Sequence, residues 1–516
     1  TTSPNLVTTV TPSSVTFNND ALNYTLTGSG KISGSTGLTK QGVATTTIAN
    51  TGGNDYTGPT VIAGGTLSVS SLANGGSASA IGASSADPAN LVISGGTLDY
   101  TGPATAINRG YSVGGTNSAI SVNNNLTLSG AVTAAQNANF VKFGLGQLAY
   151  TGSGSNLLTG TGSSGYWVQD GSVRFEGVSG AQTNVIPGGL SINGTTTTAS
   201  VVLTNTTVIS GGNVDLGNVP FTTSSLTVNS NSTLNVGSWF IQGDAGDNTS
   251  TVNLNGGTIN NLNGALLMGG RPNTVNILNI NGGTLNRAGD NFIIGPGQWN
   301  GEGYRTGIVN QVAGTVNSTR EIWVGQSYIG YGEYHLSGGV INQSNWMSIG
   351  REGATGILNM TGGELYRRQD GTAFIVADRD ASIGTFNQSG GIFDSTKEFW
   401  VGHGRHGERG PSIGVYNLSA GSASVHDWVA IGREGGNGTF NMTGGTFFKD
   451  GNGDFLVADG NGSVGTLNHS GGTITSTKSF LVPQDGDLTT LGTYNVSGSA
   501  VLTLGSWFAV GRNGGV

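Results

Sequence analysis

A ten-residue phrase returns throughout the second half of this 516-residue chain. It reads Gly-x-apolar-Asn-x-Ser/Thr-Gly-Gly-x-apolar, as in Gly438–Phe447. Self-similarity at intervals of 24 to 31 residues predicts a solenoid, in which each repeat packs only on its neighbours. Counterparts of the second glycine lie at Gly257, Gly283, Gly314, Gly339, Gly363, Gly391, Gly421, Gly445, Gly472 and Ser499.

Glycine is unusually abundant, at 93 residues, and only 9% of the residues are charged. Glycine-rich chains are often disordered, but disorder also needs high net charge and few apolar residues. Here 35% of the residues are hydrophobic and the formal net charge is −8. The apolar stretches are short or alternating and are bounded by Gly, Asn, Asp and Ser. This pattern predicts strands joined by tight turns.

Several classes of protein are excluded by what the sequence lacks. It has no cysteine, which excludes a disulfide framework and thiolate metal ligands. Its mild acidity argues against nucleic acid as a partner, because phosphate binding needs clustered Lys and Arg. No apolar run is long enough to span a bilayer. We expect a processed N-terminus before Thr1, and after Val516 either a missing continuation or a docked end.

Two regions differ in composition, with a boundary near Val214–Val219. Residues 1–215 contain few charged residues and one tryptophan, Trp167. Residues 216–516 hold most of the charge and all the other tryptophans. We therefore predict a loosely repeating region over 1–215 and a more regular repeat region over 216–516.

The first region contains two related sets of phrases. One set combines Leu38-x-Lys40-x-Gly42, Asn54-x-Tyr56-Thr57-Gly58-x-Thr60 and Gly65-Thr66-Leu67-x-Val69. A partial copy combines Lys142-x-Gly144-x-Gly146-x-Leu148 with Gly171-x-Val173-x-Phe175. These phrases resemble the autotransporter-associated β-strand repeat of bacterial passenger domains. The repeats after Thr251 resemble, less specifically, those found beside it in large bacterial surface proteins. The resemblance implies secretion, a right-handed parallel β-helix and a structural or adhesive role.

Two apolar positions flank each glycine pair, five residues before the second glycine and two residues after it. Under parallel stacking, each set forms a continuous interior column, and the Gly-Gly step permits the positive φ that bends the chain between them. The first column is predicted at Val252, Leu278, Val309, Tyr334, Leu358, Phe386, Tyr416, Phe440, Leu467 and Tyr494. The second is predicted at Ile259, Leu285, Val316, Ile341, Leu365, Phe393, Ala423, Phe447, Ile474 and Val501.

An asparagine stands four residues before the second glycine in every repeat except one, where His335 replaces it. In-register stacking lets each amide donate a hydrogen bond to the next, which predicts a structural ladder. Many of these residues also form Asn-x-Ser/Thr glycosylation sequons, but the ladder explains the spacing directly. The predicted ladder comprises Asn253, Asn279, Asn310, Asn359, Asn387, Asn417, Asn441, Asn468 and Asn495.

A second strand follows each glycine pair and carries most of the tryptophans. Its inward positions are aliphatic or Phe, so residues at the alternate positions share the outward side. These outward tryptophans are Trp239, Trp323, Trp346, Trp400, Trp428 and Trp507. Two interpretations stay open. In the first, the rings form a strip that binds glycans or a neighbouring fibril. In the second, loops fold over the rings and bury them as a satellite core.

Candidate catalytic and metal sites are sparse. Asp450-Gly-Asn-Gly-Asp454 resembles the start of a calcium loop but lacks the later bidentate acid, which favours a solvated turn. The Gly402–Gly410 segment holds His403 and His406, and we expect an exposed turn there. The Arg-Glu pairs at 351–352 and 433–434 predict weak ion pairs between turns.

The sequence thus predicts an elongated, right-handed parallel β-helix of about twenty turns. We expect an extracellular structural or adhesive protein of a bacterial surface, without enzyme activity or cofactor. Its expected partners are glycans, other surface components or further copies of itself. Copies that dock side by side or head to tail are the self-association we expect, and head-to-tail docking would give a filament. The alternative is a polysaccharide lyase or glycoside hydrolase on the same scaffold, although no carboxylate pair facing one cleft can be named from the sequence.

Overall fold

The computed structural model of the protein describes residues 2–162, 164–178, 180–195, 198–297, 303–368, 373–405 and 409–514. It contains two compact units, Thr1–Ser238 and Trp239–Val516. The prediction of an all-β parallel solenoid is confirmed, with about 18 turns in place of the expected twenty. The division after Ser238 falls later than the compositional boundary near residue 215.

The first unit consists of short parallel strands and one 3-10 helix, Pro88–Asn90. Its strands are β1 (Val15–Asn18), β2 (Tyr24–Leu26), β3 (Leu38–Gln41), β4 (Thr45–Ile48), β5 (Thr60–Ile62), β6 (Thr66–Val69), β7 (Leu91–Ile93), β8 (Thr97–Tyr100), β9 (Thr105–Ile107), β10 (Tyr111–Val113), β11 (Ser118–Val122), β12 (Leu126–Leu128), β13 (Val132–Ala134), β14 (Phe140–Phe143), β15 (Gln147–Tyr150), β16 (Gly154–Leu157), β17 (Gly165–Val168), β18 (Gly171–Glu176), β19 (Gln182–Ile186), β20 (Gly189–Ile192), β21 (Thr198–Thr204), β22 (Thr206–Ser210), β23 (Val214–Leu216), β24 (Thr223–Asn229) and β25 (Thr233–Val236).

Strands of the first unit pair with strands one turn away rather than with their neighbours in sequence. Strand β4, for example, lies between β2 and β6, and β14 lies between β11 and β17. Every pairing between these strands is parallel and each turn returns in the same direction, which is the connectivity of a solenoid.

The second unit is more regular. Its strands are β26 (Phe240–Gln242), β27 (Thr249–Asn261), β28 (Leu266–Met268), β29 (Thr274–Arg287), β30 (Phe292–Pro296), β31 (Arg305–Gln311), β32 (Thr315–Ser318), β33 (Ile322–Gln326), β34 (Gly330–Leu336), β35 (Val340–Gln343), β36 (Met347–Arg351), β37 (Thr355–Met360), β38 (Glu364–Arg367), β39 (Phe374–Asp378), β40 (Ile383–Ser395), β41 (Phe399–His403), β42 (Ile413–Val425), β43 (Val429–Arg433), β44 (Asn437–Met442), β45 (Thr446–Lys449), β46 (Phe455–Asp459), β47 (Val464–His469), β48 (Thr473–Ser476), β49 (Phe480–Val482), β50 (Leu491–Val496), β51 (Val501–Leu504) and β52 (Phe508–Val510).

Each turn of the second unit contributes to three parallel ladders. Ladder A contains the segment before the glycine pair, as in β37, β44 and β47. Ladder B contains the segment after it, as in β38, β45 and β48. Ladder C contains the third strand of each turn, β26, β28, β30, β33, β36, β39, β41, β43, β46, β49 and β52. In β27, β29, β40 and β42 the A and B segments join into one long strand.

The two interior columns lie where the spacing predicts, except in the last turn. Phe386, Tyr416 and Phe440 stack in register, with ring centroids 4.8 Å and 4.6 Å apart. In the last turn, Ile474 pairs with Leu502, whereas Val501 is 49% exposed. The prediction of Val501 as a column residue is wrong, because the final turn holds one extra residue before its ladder B strand.

The glycine pair makes the corner between ladders A and B. Gly445 has a φ of +74°, and a Cβ built on it would lie 2.8 Å from the carbonyl oxygen of Gly421 in the preceding turn. A side chain at this position would therefore meet both backbone strain and a close approach between turns. This explains why the sequence phrase is built around glycine.

Buried lysines secure corners of the first unit. The Lys142 ammonium donates to the carbonyl oxygens of Gly144, Gly146 and Asp170, at 2.5, 2.5 and 2.6 Å. Burial lowers the pKa of Lys142 to about 8, and the charge of Asp170 opposes this shift. Lys40 makes the same kind of contact, with Gly42 among its acceptors. The Lys-x-Gly step of the first-region phrases is thus a corner in which an ammonium donates to several backbone carbonyl oxygens at once.

Within the described ranges, the structure contains no helix of the length and hydrophobicity needed to span a membrane.

The interior columns should dominate the stability of the second unit. We expect Phe440→Ala to lower the free energy of unfolding by about 3–5 kcal/mol, since a fully buried ring is replaced by a cavity. Thr446→Ala, at an exposed position of the same turn, should change it by less than about 0.5 kcal/mol. Denaturant unfolding, with hydrogen exchange of the adjacent turns, measures both. Equal effects of the two substitutions would contradict the proposed packing.

Lys142 offers a test of the buried corners. Lys142→Met should destabilise the first unit by about 2–4 kcal/mol, because it removes the ammonium that donates to three carbonyl oxygens at this corner. The control is Lys31→Met, which removes an ion pair to Asp55 whose two side chains are 34% and 33% exposed. That change should cost less than about 1 kcal/mol. A thermal melt in which Lys142→Met matches the control would refute the role assigned to the ammonium.

Candidate functional site

The six tryptophans predicted to face outward lie on the outer side of ladder C. Trp323 and Trp400 occupy the middle of β33 and β41, and each pairs in register with residues of the turns on either side. Trp239, Trp346, Trp428 and Trp507 stand just before their strands. Five of the six rings are half-buried, and Trp507, in the last turn, is 73% exposed.

Part of this outer side forms a second, smaller apolar cluster. Ala430, Leu456 and Leu481 are buried at successive ladder C positions, and Trp400 and Trp428 pack against them. A Cβ built on Gly453 would lie 2.2 Å from the Trp428 ring, so this loop runs directly over the indole. The rings are therefore partly covered by neighbouring loops and side chains rather than displayed as a bare strip.

A four-residue arrangement of Glu, Trp, Trp and Arg occurs twice. In the first copy, the Arg351 guanidinium lies 4.6 Å from the Trp323 ring centroid and 3.3 Å from the Glu321 carboxylate, with Trp346 completing the set. Trp323 Nε1 also donates to Glu321 at 2.7 Å. These contacts combine a cation–π interaction with an ion pair.

The second copy stands three turns further along ladder C. Arg433 lies 4.3 Å from the Trp400 ring centroid and 3.4 Å from the Glu398 carboxylate, beside Trp428. The surrounding sequences match closely, since residues 319–325 read Thr-Arg-Glu-Ile-Trp-Val-Gly and residues 396–402 read Thr-Lys-Glu-Phe-Trp-Val-Gly. The single-turn spacing conceals this longer repeat, which an alignment of the chain with itself would reveal.

A polar column follows the ends of the ladder C strands with the same three-turn period. Its members pair in register from turn to turn. Arg351 and Arg433 lie 3.7 Å and 3.6 Å from the aspartates of the next turn, Asp378 and Asp459. The structure thus places ion pairs between turns at both predicted Arg-Glu sites. The column comprises Gln326, Arg351, Asp378, His403, Arg433 and Asp459.

His403 belongs to this column, and the prediction of an exposed turn there is wrong. It is the last residue of β41 and only 5% exposed. Its Nδ1 lies 2.8 Å from the buried Asp378 carboxylate and its Nε2 lies 3.5 Å from Glu434. The strand continues one residue past the glycine, which carries His403 inward. His406, the other histidine of the segment, lies outside the described residues.

A lysine makes hydrogen bonds to the segment Asp450–Asp454, which resembles the start of a calcium loop. The Lys449 ammonium donates to the carbonyl oxygens of Asp450, Asn452 and Gly453, at 2.6, 2.9 and 3.0 Å. Asp454 accepts a hydrogen bond from the Ser479 backbone. The ammonium thus places a positive charge within this turn and donates to its backbone carbonyl oxygens. Within the described ranges, no three His, Cys, Asp or Glu side chains are grouped so that they could hold a metal ion.

A groove lies between the two Glu-Trp-Trp-Arg copies. It has a volume of about 430 Å³ and is lined by Trp346, Ala373, Lys397, Glu398, Trp400, Asp427 and Arg433. Burial raises the pKa of Glu398, and the nearby Arg433 opposes this shift. Sequence reasoning missed this site because its residues come from four turns, and the sequence pattern does not connect Trp346 and Trp400 with Glu398 and Asp427.

The asparagines connect neighbouring turns through their side chains. From Asn253 to Asn310, and again from Asn359 to Asn495, each Nδ2 donates to the Oδ1 of the asparagine one turn earlier, at 2.7–2.9 Å. In the one turn where His335 takes the place of the asparagine, Asn359 Nδ2 of the next turn lies 3.3 Å from His335 Nδ1. An amide nitrogen can only donate, so this histidine nitrogen is the acceptor.

A second asparagine ladder, which the sequence reading did not single out, runs along ladder B. It links Asn260, Asn286, Asn317 and Asn342 by bonds of 2.9 Å. These residues stand three positions after the second glycine, so the same alignment of repeats could have found them.

The comparisons with known proteins point to one class of bacterial surface protein. One curated relative is the Adhesin BmaC autotransporter of Brucella suis biovar 1 (strain 1330), which is 36% identical over 203 residues. Together with the parallel solenoid, this confirms the resemblance to passenger-type repeat proteins. The match covers 37% of this chain and 6% of that adhesin. No family model matches the chain, and no solved structure shows a significant match.

Asn441 tests the ladder against the glycosylation hypothesis. Asn441→Ala should lower the free energy of unfolding by about 1–2 kcal/mol, because it removes the partner of both Asn417 and Asn468. Asn281→Ala, at an exposed asparagine pair, should cost less than about 0.5 kcal/mol. Chemical unfolding gives both values. Glycans found by mass spectrometry on Asn359, Asn387 and Asn441 together would overturn the structural role.

Proposed function

We propose that this chain is part of the extracellular passenger of a bacterial adhesin, where it serves as a stiff support that also carries contact surface. The observation that carries this proposal is the 36% identity, over 203 residues, to a protein named as an autotransporter adhesin. Since the matched stretch is only 6% of that protein, the activity of the whole adhesin is a proposal here as well.

The architecture supports such a role through its continuity. Residues in one turn contact mainly the turns before and after, so stacking extends the chain without needing a larger core. The Asn417 to Asn468 ladder and the Phe386 to Phe440 stack both run through several turns. Side chains that link each turn to the next resist separation of turns, which is the property that a surface support needs.

The outer side of ladder C supports the adhesive part of the proposal. Natural soluble surfaces seldom group several large aromatic rings unless they contact a partner. Here Trp323, Trp346, Trp400 and Trp428 lie together on one side of ladder C, within five consecutive turns, with charged side chains between them. We infer that this side contacts surface molecules, with glycans or other cell-surface components as the partner class.

A polysaccharide-cleaving enzyme is the second candidate, and one observation favours it. Glu398 and Asp427 line the same groove, and the charge of Asp427 contributes to the raised pKa of Glu398. Glycoside hydrolysis requires two carboxyl groups that face one substrate, one of them protonated near neutral pH. The groove therefore provides a named carboxylate pair for that alternative.

The adhesive role is tested on the source cells. Antibodies against residues 239–514 should label intact cells, and a deletion of this segment should reduce attachment to epithelial monolayers. Attachment should return when the segment is restored with Thr446→Ala, an exposed change in a ladder B strand that does not line the groove. Labelling that requires cell lysis, or a deletion strain that attaches as well as its parent, would refute the proposed function.

A further inference from the structure

The groove on ladder C has a regular floor and aromatic walls. Residues just before the ladder C strands stand in successive turns as Trp346, Ala373, Glu398 and Trp428. The backbone carbonyls of Trp346, Glu398 and Trp428 accept from the strand one turn earlier, as Trp428 does from Phe399. At about 4.8 Å per turn, this row spans about 14 Å from Trp346 to Trp428, and the tryptophans that line the groove itself are Trp346 and Trp400. Ala373, which has a short side chain, lines the groove between Trp346 and Trp400. The groove thus runs parallel to the stacking direction and accommodates a linear molecule.

The charges that line the groove balance. Lys397 and Arg433 are cationic, whereas Glu398 and Asp427 are anionic. A polyanion would meet both carboxylates, and a polycation would meet both cations. A purely apolar ligand would cover these four charged groups without offering them hydrogen bonds, which is costly. The lining therefore suits a neutral ligand that carries many hydrogen-bonding groups.

The protein holds these groups in place before a ligand arrives. Arg433 is fixed by the Trp400 ring, the Glu398 carboxylate and Asp459 of the following turn, at 4.3, 3.4 and 3.6 Å. Trp400 is further held by the apolar cluster around Ala430 and Leu456. Binding to such a preorganised surface loses little side-chain entropy.

The backbone around the groove excludes one common mode of peptide recognition. Strand β41 is already paired on both sides, with β39 and β43. An extended peptide therefore finds no free strand edge to which it could add. Recognition at this position must use side chains alone.

We propose that this groove binds a neutral polysaccharide, as a run of uncharged pyranose rings. The apolar C–H faces of the sugars lie against Trp346 and Trp400, and their hydroxyl groups exchange hydrogen bonds with Glu398, Asp427 and Arg433. This inference rests on the proposed adhesive function and names the ligand class of that same surface. Few other neutral polymers combine apolar ring faces with hydroxyl groups around the edge.

The test is affinity electrophoresis of the whole chain in gels that contain one polymer at a time. The polymers are a soluble mixed-linkage β-glucan, a galactomannan, and alginate as the anionic comparison. We expect at least one neutral polymer to retard the chain, and roughly 0.5 M NaCl to leave this retardation unchanged, because no net charge is involved. Retardation by alginate alone, or by no polymer, overturns the proposal.

Variants locate the interaction. Trp346→Ala and Trp400→Ala should each weaken binding about tenfold, as expected when a central aromatic contact is lost. Because Trp400 also packs on the apolar cluster, Asp427→Asn is the milder probe, since an asparagine keeps the Oδ1 contact to the Trp428 backbone N–H. It should weaken binding severalfold. Trp507→Ala, at an exposed tryptophan outside the groove, is the matched control and should bind like the wild type. Equal binding by Trp346→Ala, Asp427→Asn and the control refutes the site.

Cell attachment separates this inference from the proposed function. If the deletion strain attaches poorly while a Trp346→Ala strain attaches normally, the adhesive role stands and the groove is not its site. If the deletion has no effect on attachment, the proposed function itself fails. New reducing ends in the wild-type incubations that disappear with Glu398→Gln would assign cleavage instead of binding, and would replace the inference.

Discussion

In-register stacking of parallel strands is the constraint on which the rest of the structure depends. It sets each side chain directly above its counterpart from the turn before, about 4.8 Å away. A residue type that interacts well with itself, such as Asn or Phe, is therefore favoured at the same position in many turns. The ladder from Asn359 to Asn495 and the stack of Phe386, Tyr416 and Phe440 follow from this rule. Residues of like charge stacked in this way would repel one another, so a charged column cannot repeat one residue type in every turn.

The second unit solves the charge problem with a period of three turns. Along the polar column, Arg351 is followed by Asp378 and then His403, and Arg433 by Asp459, so that each cation meets an acid one turn away. The cost of burying each charge is offset because a consecutive turn supplies its oppositely charged partner. The Glu-Trp-Trp-Arg arrangement repeats with the same period of three turns. A groove can then form between two copies, whereas a strict one-turn repeat would give a uniform wall.

The sequence predicted those features that repeat once per turn. The interior columns and the glycine corners depend on one position per repeat, so spacing alone located them. Val501 was misplaced because an insertion of one residue shifts the final turn, and only the pairing of Ile474 with Leu502 reveals it. His403 was misjudged because the charged residues after it suggested a loop, whereas the strand extends through it. The groove could not be predicted from one repeat, since Trp346, Glu398 and Asp427 come from different turns.

The requirement for an uninterrupted ladder also decides where recognition can occur. Every ladder C strand between β28 and β49 is paired on both sides, so the backbone along this stretch has no free donors or acceptors directed at a neighbouring strand. The interior positions are committed to packing, and the corners to glycine or to buried ammonium groups such as that of Lys449. Only the outward-facing side chains can be changed without weakening the pairing between strands. A protein of this architecture therefore gains specificity by changing outward side chains over several turns, and the three-turn set around Trp346 and Trp400 is where this chain departs most from a uniform surface.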